Sequence, residues 1–178
     1  MRKWLMMALL TGLAAACSTQ RVEKSEVLSR QASWALLPIV NQSQTPQAGE
    51  RVEALVETEL RVLGLRPRHY PVTKEHNPLA LLDEEGRFRN GLRWARKEGI
   101  QYGVTGSVQE WRYKSGLDGE PAAGISLRVI DVATGDILWA ASGSRTGWGY
   151  ESVSGTATKL VHKLLGAIRL SGDENPGK

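Results

Sequence analysis

Cysteine is nearly absent from this chain of 178 residues: Cys17 is the only one. That excludes an intrachain disulfide framework and any cysteine-rich zinc site. Histidine occurs three times, at His69, His76 and His162, without the His-Glu-x-x-His spacing of a metalloprotease. The chain also lacks the Gly-x-Ser-x-Gly of a nucleophile elbow and the Gly-x-x-x-x-Gly-Lys-Ser/Thr of a phosphate loop. Gly147-Trp148-Gly149 lacks the third glycine of a dinucleotide loop. Acids cluster only at Asp83-Glu84-Glu85 and Asp173-Glu174, in turn-like or tail-like segments, where solvation is the default. No enzyme, metal or cofactor chemistry is expected from these patterns. Charge has no strong excess of either sign. Setting aside Arg2 and Lys3, which lie in a segment expected to be removed, the 23 basic residues become 21 against 19 acidic. A balance of +2 makes no case for nucleic acid as a partner. At 41% hydrophobic and 24% charged, the composition is that of a folded protein. The length suits one domain with flanking tails.

What the sequence does have begins at its N-terminus. Met1-Arg2-Lys3 is basic, Trp4 to Leu13 is apolar, and Ala14-Ala15-Ala16 leads into Cys17. This is the layout of a secretory signal, and its apolar run is too short for a spanning helix of about 20 residues. Two readings are open: an ordinary signal peptide containing a cysteine, or a lipoprotein signal that resembles a lipobox, with Cys17 acylated as the first mature residue. The second is favoured, because the lone cysteine stands where the small residues end. Each buried methylene of an acyl chain contributes about 0.8 kcal/mol, so several chains (palmitate among them) would hold the domain on a membrane face. Ser18 follows, rather than the Asp that resembles an inner-membrane retention signal, so the outer membrane is the expected address, facing the periplasm. The predicted division is a signal over 1–16, acylated cysteine and flexible tether over 17–32, one domain over 33–170, and a flexible tail over 171–178. Fully extended, a tether of about 15 residues spans roughly 50 Å.

The domain opens on Trp34 to Asn41, a near-continuous apolar run that predicts a strand buried on both faces. Val52, Leu55, Val56, Leu60 and Leu63 form a helical stripe, with Gly64 as its stop. A short strand is expected at Arg68 to Val72. Asn77 to Gly99 reads as mainly helical, with Asn77 as cap and Pro78 at the first position. Strands are predicted at Gln101 to Tyr113, Gly124 to Val132 and Ile137 to Arg145, the last two joined by a Thr134-Gly135 turn. Ser152 precedes a final helix whose stripe runs from Val153 to Ile168; His162 reads as a residue on its surface. The order β-α-β-α-β-β-β-α predicts an α/β sandwich of a mixed sheet with helices.

Two segments stand out as candidate functional sites. Lys114 to Pro121, rich in Gly and ending in Pro, reads as a hairpin connection with Asp118 and Glu120 at its tip. Such acids are ordinarily just solvated. Repeated around a ring of subunits, they would focus a field that attracts cations. In Ser144 to Tyr150, Trp148 stands between two glycines, outside any apolar stripe. It either folds back on the core or is exposed. If exposed, Trp148 and Tyr150, with Arg145 nearby, suit a membrane interface, because each aromatic has an apolar body and a polar tip. Trp34, Trp111 and Trp139 lie within strands and read as core.

Several of these segments resemble the PelC family, outer-membrane lipoproteins of the Pel exopolysaccharide secretion system. The resemblance rests on Cys17, on Trp34 to Pro38 with Asn41, on Thr45 to Glu50, on Val132 to Trp139 and on Ser144 to Tyr150. Part of it extends to the wider group that includes the curli secretion channel and LpoB. The resemblance implies a non-enzymatic role in biofilm matrix formation. By the same resemblance the chain would form a homo-oligomeric ring, a dodecamer, that passes a cationic polysaccharide to an outer-membrane β-barrel. On that resemblance Asp118 matches the acid of the periplasmic funnel and Trp148 the membrane-facing residue. The competing expectation is an LpoB-like activator of a peptidoglycan synthase, which the short tether disfavours. An enzyme acting on envelope sugars finds support only in scattered acids.

Overall fold

The computed structural model describes residues 18–22, 26–71, 83–115, 119–148 and 150–172. Cys17, Asp118 and the signal segment lie outside the described residues, as do Asn77, Pro78 and most of the predicted tail. The described elements are β1 (Ser18–Val22), β2 (Trp34–Asn41), α1 (Ala48–Val62), β3 (Arg68–His69), α2 (Glu84–Lys97), β4 (Tyr102–Tyr113), β5 (Pro121–Asp131), β6 (Ile137–Thr146) and α3 (Val153–Leu165). They form one six-stranded sheet in the order β1-β6-β5-β4-β2-β3. Strand β2 runs parallel to β3 and β4, and the other pairs are antiparallel, so the sheet is mixed as predicted. From Trp34 onward the elements follow the predicted order. Strand β1 precedes them, within the stretch expected to be a tether.

The continuous apolar run of β2 has its cause in the layers. Trp34, Leu36 and Ile39 join the main core beneath α1 and α3, together with Val56, Leu60, Val104, Trp139 and Leu164. Ala35 and Leu37 face the other side, where they meet Ala95 of α2 and Ile130. Helix α2 covers that second side only over β2 and its neighbourhood. Its cap is Asp83, whose side chain accepts from the Gly86 amide at 2.8 Å. The β5–β6 turn forms as expected: Asp131 Oδ1 accepts from the amides of Ala133 and Thr134, and Gly135 supplies a φ of 86°.

Pro38 interrupts the parallel ladder, because it has no N–H to donate. The β2–β4 register shifts between Leu36 and Ile39. The displaced polar groups find side chains instead. The Thr105 hydroxyl donates to the Pro38 carbonyl at 2.8 Å, and the Ile39 amide donates to Glu53 Oε1 at 2.9 Å. Glu53 is therefore buried for a reason: it completes a strand that proline leaves incomplete. Arg87 reaches it from α2 at 3.3 Å and also meets Glu84 and Glu50, so one guanidinium joins both helices beside β2.

Burial raises the Glu53 carboxyl above its ordinary value, against the lowering effects of the Ile39 amide and Arg87; burial raises Glu84 as well. A carboxyl raised in this way holds its proton more firmly in the fold than in the unfolded chain. Its contribution to stability therefore falls as pH rises from the unfolded value through the folded one. The expected result is that Glu53→Gln, which keeps the acceptor for Ile39, flattens that part of the stability–pH curve. Glu53→Ala orphans the amide and costs about 1–3 kcal/mol at neutral pH. Urea titrations of both variants between pH 4.5 and 7 would check this; an unchanged pH slope in Glu53→Gln would remove Glu53 as its source.

Candidate functional site

Two connections meet at one end of the sheet. Strands β4 and β5 pair up to Tyr113 and Pro121, where the Lys114 amide donates to the Glu120 carbonyl at 2.7 Å. Strand β6 ends beside them: Arg145 pairs with Ala123, Thr146 with Ala122, and the Gly147 amide donates to the Pro121 carbonyl at 2.8 Å. The Lys114 ammonium reaches across to the Thr146 hydroxyl at 2.8 Å. Gly147 is required by close approach, since a Cβ there would stand 2.4 Å from Thr156 Oγ1. Beyond it the chain turns, with the Glu151 amide donating to the Trp148 carbonyl at 2.8 Å, and Ser152 caps α3 through the Gly155 amide.

This folding brings Glu120, Arg145, Trp148 and Tyr150 to the same end. Glu120 and Arg145 are half-buried, Trp148 is 55% exposed, and Tyr150 is fully exposed. Of the two readings of Trp148, the structure thus places it outward. Tyr113, also 55% exposed, joins them. Sequence reading missed it because it ends an ordinary strand; its only signal was an aromatic residue directly before a hairpin connection. Lys159 hydrogen-bonds the Glu151 carboxylate and holds it below the usual range, and Arg145 adds to that attraction. Asp118, the other expected acid, falls between Lys114 and Gly119 in the same connection, outside the described residues.

Strand β1 reaches this end as well. It pairs antiparallel with β6, with Ser18 opposite Arg145 and Val22 opposite Ala141. The expected tether is instead sheet at its start and is tied again further on. Leu28 is buried, and its amide donates to the Arg169 carbonyl at 2.9 Å. Ser171, placed by sequence in the tail, donates its amide to the Leu28 carbonyl, and its hydroxyl accepts from the Arg30 amide. The physical reason is pairing across the length of the chain, which a local reading of polar residues does not register.

The side of the sheet that α2 leaves open forms a second surface. Ser107, Ser126 and Ser142 line a shallow concavity of about 550 Å³ flanked by Arg21 and Arg128. Neither arginine has an ion pair among the described residues. The histidines do structural work where they are described: His162 meets Glu59 at 2.8 Å between α3 and α1, and His69 lies 4.0 Å from Glu53. Among the described residues no cluster of His, Cys, Asp and Glu could hold a metal, and no helix is long and apolar enough to cross a membrane.

No protein-family model matches the chain, and no curated protein does. Solved structures do. Dodecameric PelC from Paraburkholderia phytofirmans is similar at 34% identity and a TM-score of 0.72, over 86% of this chain and 99% of its own. A point variant of that dodecamer matches at 32% identity with the same TM-score and coverage. Lipoprotein GNA1162 from Neisseria meningitidis shares the fold, with a TM-score of 0.50 at 19% identity over 76% of this chain and 96% of its own. Identity at this level across almost the whole of a solved relative places the chain in the PelC family.

Proposed function

We propose that this chain is a non-enzymatic, lipid-anchored subunit of a Pel exopolysaccharide export machine. It faces the periplasm from the outer membrane and assembles into a ring that guides a cationic polymer to a β-barrel channel. The observation that carries this reading is the whole-domain likeness to a PelC dodecamer. The geometry supports it in two places. The end bearing Trp148, Tyr150, Tyr113 and Arg145 has the aromatic and basic character of a membrane-facing surface. The open face of the sheet offers a broad surface of small side chains for a second copy of the chain. A closed ring with heterologous contacts needs two different surfaces on every subunit, and this face supplies one. Arg21 and Arg128, which have no ion pair among the described residues, then meet carboxylates of the next subunit.

Asp118 and Glu120 act through repetition. One exposed carboxylate attracts a cation weakly in water, whereas a circle of them around an opening sums its field. Asp118→Ala is expected to lower secretion of the polymer severalfold, with the ring's mass by light scattering unchanged. Export at the original level in that variant would remove the acid from the mechanism.

A further inference from the structure

We propose that β1 is the device that orients the domain on the membrane, so that the protein is seated against the lipid surface rather than suspended from it. The inference rests on the membrane-facing reading of the Trp148 end and on acylation of Cys17. The argument begins with covalent order. Cys17 is one peptide bond before Ser18, and Ser18 is already a strand residue opposite Arg145. No residue is left to serve as slack between lipid and sheet.

The direction of β1 decides which end meets the membrane. The chain enters β1 beside Arg145 and leaves it beside Ala141, because the pairing with β6 is antiparallel. Trp148 lies three residues beyond Arg145, at most about 10 Å along the chain, and adjacent strands are about 4.8 Å apart. With one further residue from Ser18 to Cys17, the acyl chains therefore emerge within about 20 Å of the exposed aromatic residues. The opposite end of the sheet, with the β5–β6 turn and Asp136, points away. Both ends of the pinned region are held. Val22 packs against the main core, and Leu28 is fixed between Arg169 and Ser171. A lipid on this strand thus presents Trp148, Tyr150 and Tyr113 to the headgroups, and the aromatic tips add a second, weaker hold. Two attachments on one rigid body restrict tilt in a way that a flexible tether cannot.

The test uses the acylated full-length protein in vesicles of phosphatidylethanolamine and phosphatidylglycerol. Acylation occupies the sulfur of Cys17, so an introduced cysteine is the free thiol. Tyr150→Cys reports the membrane end and Asp136→Cys the far end. Labelling by a charged, membrane-impermeant maleimide is normalised to the denatured protein. A seated orientation populated at about 90% makes Tyr150→Cys react about tenfold more slowly than Asp136→Cys. A Gly/Ser spacer of about twelve residues between Cys17 and Ser18, with a reach of about 19 Å, should bring the two rates within about twofold. Protection of Tyr150→Cys that survives the spacer would overturn the role of β1 while leaving the membrane-facing end intact. Equal rates without the spacer, or a Cys17 that carries no acyl group by mass spectrometry, would overturn both.

Discussion

Trp139→Ala is expected to remove about 3–5 kcal/mol of stability, the range for truncating a buried aromatic. Trp139 on β6 is the largest of the fully buried side chains among the described residues and belongs to the main core. It is opposite Val129 of β5, beneath the layer that α1 and α3 lay over the sheet. Its removal leaves a cavity that rigid neighbours on both strands cannot fill. Domains of this kind hold only about 5–15 kcal/mol in total, so the variant should unfold at much lower denaturant or fail to accumulate. The indole N–H has no hydrogen-bond partner among the described residues. Trp139→Phe should therefore cost clearly less than Trp139→Ala, since it removes an unsatisfied donor along with the lost volume. Urea unfolding of the two variants would check the order; equal losses would mean that the cavity is not what matters.

Ser126→Arg is expected to dissociate the proposed ring while leaving the monomer folded. Ser126 lies on the open face, half-buried, where Gln109 donates to its hydroxyl at 3.0 Å. A long cation placed there joins Arg21 and Arg128 on the same concavity. An unpaired charge buried in a contact costs about 3–5 kcal/mol, and every 1.4 kcal/mol is tenfold in affinity. Each contact should thus weaken by a factor of 100 or more on that scale. Light scattering would show the mass falling toward that of one chain, and an unchanged circular dichroism melt would show the fold retained. Ser126→Ala is the matched control. A full-sized ring in Ser126→Arg would place the subunit contact elsewhere.

Much of the fold was legible because its signals are local. The apolar run from Trp34 to Val40 announces a strand buried on both faces, and α1 and α3 on one side with α2 on the other account for it. The stripe from Val52 to Leu60 and the Thr134-Gly135 turn carry their periods within a dozen residues. The illegible parts depend on distant partners. Ser18-Thr19-Gln20-Arg21 reads as a solvated linker because an edge strand needs no buried face, and its partner β6 lies far along the chain. Glu53 and Arg87 look like ordinary helix-surface charges until Pro38 leaves the Ile39 amide without a strand partner. The described second helix begins at Glu84 with Asp83 as its cap, and the expected start at Asn77 lies outside the described residues. At the Trp148 end of the sheet, Trp148, Tyr150 and Arg145 were conspicuous in sequence. Tyr113 was not, because only the pairing of β4 with β5 brings it beside them.

The tie between Leu28 and Ser171 sets an order of events during folding. Arg30 and Ser171, which share that tie, are 141 residues apart in the chain. Contacts of such separation pay their loop-closure entropy before they return any energy, so they form late. A chain emerging N-terminus first presents β1 and Leu28 long before β6 and Ser171 exist to receive them. The end that carries β1 is therefore the last part to close. On the proposed anchoring, orientation on the membrane becomes a property of the completed fold, and a chain shortened before Ser171 would keep its lipid but lose the latch that holds its first residues in line.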